Sequence, residues 1–207
     1  THGQIGERTS KESRTRLRYE MLDQIMVAQN NQESECGTRE KYYVMIEQIY
    51  NEPHDISVRT NMDKFWQSWQ ELSMYPENKA ARQAVVTRGE SLAESISQRF
   101  KSLSGIGTLI NSDIEANVKQ INDYAKQIAE INSEIVRSKA MGDNPNDLLD
   151  RRDVLVEKLS GLANITSDQR DSDEFMVHID GQVLVQGNVH RGFELVSNVD
   201  NNGYDTV

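Results

Sequence analysis

The sequence predicts a mainly α fold, an elongated antiparallel rod of long, coiled-coil-like helices over 1–170 that leads, at 171–207, into the start of a small β-rich domain. Three observations predict it. Apolar residues recur at steps of three and four over most of the chain before Thr166, the spacing that gathers one face of an α-helix. Helix breakers are scarce, with 12 Gly and 3 Pro in 207 residues, so few points can interrupt a helix. Beyond Thr166 the apolar period shortens to two on either side of Asp180-Gly181, the pattern of a β-hairpin.

The first helix is expected over Ser13 to Asn51, where Leu17, Met21, Ile25, Ala28, Tyr43, Ile46 and Ile49 share a face. Gly37 weakens its middle, and Asn51-Glu52-Pro53 stops it because Pro disfavours α geometry in the residue before it. A loop through His54 and Asp55 follows. Met62, Phe65, Trp66, Trp69 and Leu72 then form a one-sided stripe, with Thr60 or Asn61 as N-cap and Pro76 as terminator. Large rings on one face of a short helix predict an anchor packed hard against a neighbour.

From Asn78 to Lys139 the periodicity is most regular. Val86, Gly89, Ala93, Ile96, Phe100, Leu103, Gly107 and Ile110 mark a heptad seam, which continues through Ile114, Val118, Ile121, Ala125, Ile128, Asn132 and Ile135. Two consecutive steps of four at Ile110, Ile114 and Val118 form a stutter that relaxes left-handed supercoiling. As one helix the span would run roughly 93 Å at 1.5 Å per residue. Gly105 and Gly107 make a bend near Ser104 to Thr108 the alternative.

Gly142 is expected to close this helix in a left-handed cap, with Asp143-Asn144-Pro145 as the turn. Asn146 or Asp147 can cap the next helix, with Asp150 near its positive end and Leu148, Leu149, Leu155, Leu159 and Leu162 on its inner face. The short loop makes the pair an antiparallel helical hairpin. Strands are expected at Phe175 to Ile179, Gln182 to Val185 and Phe193 to Val196, and Asn201-Asn202-Gly203 marks a further turn. So few short strands are marginal alone, and the sequence is expected to be cut from a longer protein inside its second domain.

Composition narrows the function. Asp and Glu number 33 against 23 Lys and Arg, a net charge of −10, and such a surface repels the phosphates that dominate nucleic-acid affinity. No stretch reaches the run of about 18 apolar residues that spans a bilayer, so neither nucleic acid nor membrane is expected as a partner. Charges occupy Thr1 to Arg18, where a cleavable signal peptide needs an apolar segment. Cys36 is the single cysteine, which excludes an internal disulfide and a thiolate zinc cluster; a small buried or half-buried helical residue is expected there.

The chemistry of enzymes is not legible in this chain. His2, His54, His178 and His190 lack metal-pair spacing, although His178 and His190 could meet across adjacent strands. The cluster from Asp143 to Asp153 fails as a calcium loop, with Pro145 at the third position and Val154 where a bidentate Glu belongs. No Gly-rich phosphate loop or Gly-x-Ser-x-Gly elbow occurs. Carboxylates at helical spacing, such as Glu130 and Glu134, are expected on solvated faces. No catalytic residue, cofactor or metal site is predicted.

Two blocks carry a resemblance. Phe65, Trp69-Gln70-Glu71-Leu72 and Pro76, followed by Ala80-Ala81-Arg82-Gln83-Ala84-Val85-Val86, form the first. The second is Val118, Ile121-Asn122, Ala125, Gln127-Ile128-Ala129, Ile131-Asn132 and Ile135, followed by Asn146-Asp147-Leu148-Leu149-Asp150-Arg151-Arg152-Asp153 and Leu155. Together they resemble the flagellar hook-associated protein 1 family over Met21 to Leu184, whereas Thr1 to Arg18 matches it poorly. The resemblance implies a non-catalytic adaptor of the bacterial flagellum, exported by the flagellar type III apparatus and placed at the hook–filament junction. Its implied partners are other copies of itself in a ring, the hook protein, the second junction protein and an export chaperone. It also implies terminal segments, paired as a coiled coil, that this sequence lacks. The residues expected to matter are structural: Phe65, Trp66, Trp69, Leu72, Arg82, Ile121, Asn122, Ile128, Asn132, Asn146, Asp147, Leu148, Leu149, Asp150, Arg152 and Asp153, the last four charged residues fixing the hairpin turn. Two rivals share the pattern: the second junction protein, of hook-associated protein 3 type, and a non-flagellar acidic helical binding module.

Overall fold

The computed structural model describes residues 2–50, 57–171, 174–201 and 203–207, without the side chains of 2–20, 170 and 171. Four helices come first, α1 (His2–Tyr50), α2 (Val58–Met74), α3 (Lys79–Ala140) and α4 (Asn146–Ser160). Six strands follow: β1 (Ile165–Asp171), β2 (Glu174–Ile179), β3 (Gln182–Gln186), β4 (Val189–His190), β5 (Val196–Ser197) and β6 (Asp205–Thr206). The first four make an antiparallel sheet in the order β1-β2-β3-β4, and β5 pairs with β6. The chain divides into two compact units, Thr1–Thr38 with Asp113–Val207, and Arg39–Ser112. Position 170/171, where the sequence places a boundary, lies within β1.

In the first unit the core is a sandwich of helices on sheet. Ile121, Ala125, Ile128, Ile131 and Ile135 of α3 meet Leu155, Val156 and Leu159 of α4, and Ile165, Phe175, Val177, Leu184 and Val185 close the other side. The α4 stripe behaves as its spacing demands, with Leu148, Leu149 and Leu162 packed half-buried against this cluster. The turn into α4 follows from Gly142 at φ +87°, a conformation that costs a side-chain-bearing residue about 1–2 kcal/mol. Its N–H donates to Lys139 O at 3.0 Å and that of Asp143 to Ser138 O at 3.1 Å, which satisfies two of the carbonyls orphaned at the helix end.

Several expectations change at α4 and in the sheet. Neither Asn146 nor Asp147 caps α4: Pro145 occupies the cap position with no side-chain hydrogen bond, and Asp147, not Asp150, stands in the first turn. The chain leaves the Gly142 turn so tightly that the helix starts at the first residue after Pro145, whose fixed φ suits that entry. The hairpin forms as read, with Asp180 at φ +45° and Gly181 at φ +82°, both positive as a type I′ turn requires. β1 has no counterpart among the expected strands, because Ser167, Asp168 and Gln169 are polar on both faces. Phe193 lies outside any strand, and pairing resumes only at β5. His178 on β2 and His190 on β4 are separated by β3.

In the second unit α2 begins one turn earlier than expected. Ser57 is the N-cap, its Oγ accepting from Thr60 N at 3.1 Å, so Thr60 and Asn61 are inside the helix. Asn78 caps α3 through Oδ1, which accepts from Ala80 N at 2.9 Å. α3 continues as helix through Ser104 to Thr108, and the Thr108 hydroxyl donates back to Ser104 O at 3.2 Å. α1 reaches back to His2, well before the expected start at Ser13. Its proposed terminator, Asn51-Glu52-Pro53, and the loop at His54 and Asp55 lie outside the described residues.

The expected face of α1 holds only toward its end: Ile46 and Ile49 are half-buried, whereas Met21, Ile25, Ala28 and Tyr43 are exposed. Within the first unit the half-buried positions of α1 are Val27, Asn30, Asn31 and Ser34. Polar side chains win that face because the partners there are backbone carbonyls: Asn30 Nδ2 donates to Glu157 O at 3.0 Å and Asn31 Nδ2 to Ile165 O at 2.9 Å. Cys36 is exposed on the same helix, not buried as expected, because it lies off that inward stripe.

Candidate functional site

Two places in the fold gather the residues expected to matter, a joint and a surface. The joint lies in the first unit, where α3 and α4 meet the sheet. Arg152 is 94% removed from solvent, at 6% exposure, and its guanidinium sits 3.8 Å from the centre of the Phe175 ring. Its Nη1 donates to Asn132 Oδ1 at 3.4 Å, and Asn132 Nδ2 in turn donates to Gly187 O at 2.7 Å. One buried amide thus links α4 to the loop between β3 and β4. Ten residues earlier on α3, Asn122 grips Phe193 by both backbone groups, donating to its O at 3.0 Å and accepting from its N at 2.8 Å. That two-point contact replaces a strand neighbour for a residue that belongs to none.

Burial drives the electrostatics of the joint. Desolvation holds the Arg152 guanidinium below its ordinary value, and the charge of Asp153 works the other way. The Asp153 carboxyl, whose side chain is 61% exposed at the edge of the joint, is raised, first by partial desolvation there, with the charge of Arg152 opposing and Asp23 and Asp150 adding repulsion. Arg152 Nε lies 3.9 Å from Asp153 Oδ1, too far for a hydrogen bond, and is a buried donor with no partner.

The surface lies in the second unit. Phe65 packs against α3 where Gly89 leaves room: a Cβ built there would stand 3.4 Å from the ring. Its centroid is 6.2 Å from Trp69 in an edge-on pair and 6.0 Å from Trp66. Arg82 Nε donates to Pro76 O at 2.9 Å and ties the α2–α3 turn. Yet Trp66 is 60% and Trp69 46% exposed, so the hard packing expected of them is not made among the described residues. Phe65 and Leu72 of the same stripe are half-buried. Met62, Met74, Tyr75, Val86, Ile96 and Phe100 extend the open apolar surface of this unit.

Comparison with known proteins decides the family. The family described as flagellar hook-associated protein FlgK helical domain matches residues 43–207. The chain belongs to the FlgK family. It is 28% identical over 187 residues to flagellar hook-associated protein 1 of Bacillus subtilis, covering 90% of this chain and 37% of that protein. Identity to the Escherichia coli protein of the same name is 36% over 138 residues, 65% of this chain and 25% of that one. The Salmonella typhimurium protein is 33% identical over 174 residues, 83% of this chain and 31% of that one. The structure of the flagellar hook junction protein FlgK from Burkholderia pseudomallei superposes with a TM-score of 0.75 at 28% identity, over 84% of this chain and 31% of that one. The chain therefore spans between a quarter and two fifths of the length of these FlgK relatives.

Of the FlgK-like residues expected to matter, the fold gathers Ile121, Ile128, Leu148, Leu149, Asn132 and Arg152 about one core, with Asn122 at its edge. Phe65, Leu72 and Arg82 serve the α2–α3 corner. Asn146, Asp147, Asp150 and Asp153 are exposed. Sequence reading missed Asn30, Asn31, Phe175 and Ser160, whose Oγ accepts from Asn30 at 2.6 Å. A signal existed for the first two: adjacent Asn residues are poor helix formers, and their presence in mid-helix marks a tertiary demand.

Proposed function

We propose that the protein containing this chain is a structural adaptor of the bacterial flagellum, acting at the hook–filament junction by subunit packing and without catalysis. The observation that carries the reading, beside family membership, is the apolar face of the second unit, which continues the helical spacing of the core but is exposed among the described residues. Uncovered apolar stripes at regular spacing are what lateral packing of helical subunits needs. The proposed partners are other copies in a ring, the hook protein and the second junction protein, with an export chaperone before assembly. The proposed location is the flagellum outside the cytoplasmic membrane, reached by the flagellar export route; no described helix is long and apolar enough to cross a membrane.

The test is made in a flagellated bacterium whose own hook-associated protein 1 is deleted. The full-length protein containing this chain should restore attached filaments, counted by electron microscopy. Its Trp66→Ser/Trp69→Ser form should be exported and leave filaments shed into the medium. Normal filament attachment with the double variant would sink the role of this face, and failure of the unaltered protein to restore any filament would sink the reading as a whole.

A further inference from the structure

Among the described residues Phe193 is the last along the chain to pack on the core, and it does so from a stretch, 191–195, that belongs to no helix or strand. The β3–β4 ladder closes just before it, where Arg191 N donates to Leu184 O at 2.8 Å. Beyond it the β5–β6 ribbon is a separate sheet, closed on itself by the pairs Val196–Thr206 and Ser197–Asp205. Asn198 N donates across the ribbon to Tyr204 O at 3.1 Å, and Ser197 Oγ to Gly203 O at 2.9 Å. Val196 and Val199 on it are exposed, Val199 at 89%. Between ladder and ribbon, the Asn122 side chain holds both backbone groups of Phe193 to α3.

The chemistry of that hold is specific. A carboxamide offers a donor and an acceptor in one plane, as a neighbouring strand would, whereas a carboxylate of the same shape only accepts. Gly192 lets the backbone come close, since a Cβ there would already touch Asn122 Oδ1 at 3.4 Å. Asn31 holds Ile165 in the same way from α1, but Ile165 is buried at 1% exposure and paired with Ile179 in the sheet. Phe193 has two neutral hydrogen bonds and a half-buried ring, with no ladder beside it. Local opening begins where such contacts are fewest. We propose that the Asn122–Phe193 pair is a clamp that sets the direction in which the chain leaves the helices, with 191–195 as its hinge. Closed, it holds the β5–β6 ribbon in one orientation; open, it lets the ribbon turn while the core stays folded. Asn122 is a positioning residue that acts through the Phe193 backbone, and this role goes beyond the subunit-packing reading and stands without it.

Pulsed electron resonance between nitroxides at Glu130→Cys on α3 and Val199→Cys on the ribbon tests it, in the 207-residue chain carrying Cys36→Ser, with circular dichroism as the check of folding. Both label sites are exposed and lie outside the clamp. With Asn122 present the distance should be single and narrow. Asn122→Asp, which keeps the shape and loses the donor, and Asn122→Ala should each broaden it about twofold or more, and the Phe193 amide should exchange about tenfold faster by NMR while those of Val177 and Val185 do not change. Asn132→Ala removes a different amide from the same helix and should leave the distance narrow. A distance already broad with Asn122 present, or still narrow in both Asn122 variants, overturns the proposal. So does equal broadening by Asn132→Ala, which would mean a general loosening, or an Asn122→Asp chain that no longer folds, which would make the residue a part of the core and not a clamp.

Discussion

α3 carries one apolar pattern through two different fates. In its second part Val118, Ile121, Ala125, Ile128 and Ile135 are all buried, Ala125 and Ile128 at 0% exposure. In its first part, at equivalent seam spacing, Val86 is 52%, Ile96 50% and Phe100 71% exposed. Residue type does not separate the two sets, since β-branched or large apolar residues dominate both. The difference is the company. The first unit supplies α4 and a four-stranded sheet to cover its stretch of α3, whereas in the second unit Ala81, Val85 and Ile106 are the apolar residues of α3 that are buried among the described residues. Helical periodicity states which side chains share a face; how much of that face is removed from water depends on neighbours from elsewhere.

The largest expected effect tests the comparison directly. Ile128→Ala should destabilise the chain by about 2–5 kcal/mol, whereas Phe100→Ala, though it removes more atoms, should shift stability by no more than about 0.5 kcal/mol. Chemical denaturation of the two variants measures both, and equal losses would mean that the first part of α3 is covered in solution. A smaller effect belongs to the polar joint. Asn132→Ala leaves Gly187 O and the Arg152 guanidinium without their shared partner, and a loss of about 1–3 kcal/mol is expected. An unchanged midpoint would show that the amide bridges nothing of consequence.

The smallest effect sharpens the contrast in electrostatics. The Asp153 carboxyl is raised in the folded state, so the fold favours its protonated form. That contribution is present below the ordinary carboxylate range and is lost as pH rises through the raised value. Asp153→Asn keeps the group neutral, and should raise the melting temperature slightly at neutral pH while making no difference in acid. Thermal melts across pH would refute this if the variant melted lower at neutral pH, since Asp153 would then act chiefly as the partner of Arg152.

Much of the architecture was legible because it is local. The Gly142 cap, the Asp180-Gly181 turn and the Leu155–Leu159 stripe depend on residues within a few positions of one another, and each formed where its chemistry demands. The misreadings share another cause. Trp66 and Trp69 were expected inside because large rings usually are, and Met21 and Ile25 because they fall on a helical stripe; burial in both cases required a partner that lies elsewhere in sequence or outside the chain. The face of α1 turned inward is the one bearing Asn30 and Asn31, an outcome fixed by carbonyls more than a hundred residues away.

What the amino-acid sequence determined by itself is the succession of helices, the turn after α3, the central β-hairpin, the acidic balance, and the two blocks that mark the family. Tertiary structure decided which apolar stripes are core and which are open, that Arg152 is buried against Phe175, and that asparagines tie α1 to β1 and α3 to the segment after β4. The physical reason is range. Backbone dihedrals and helical spacing are set by near neighbours in the chain, whereas desolvation depends on everything that comes within a few ångströms in space.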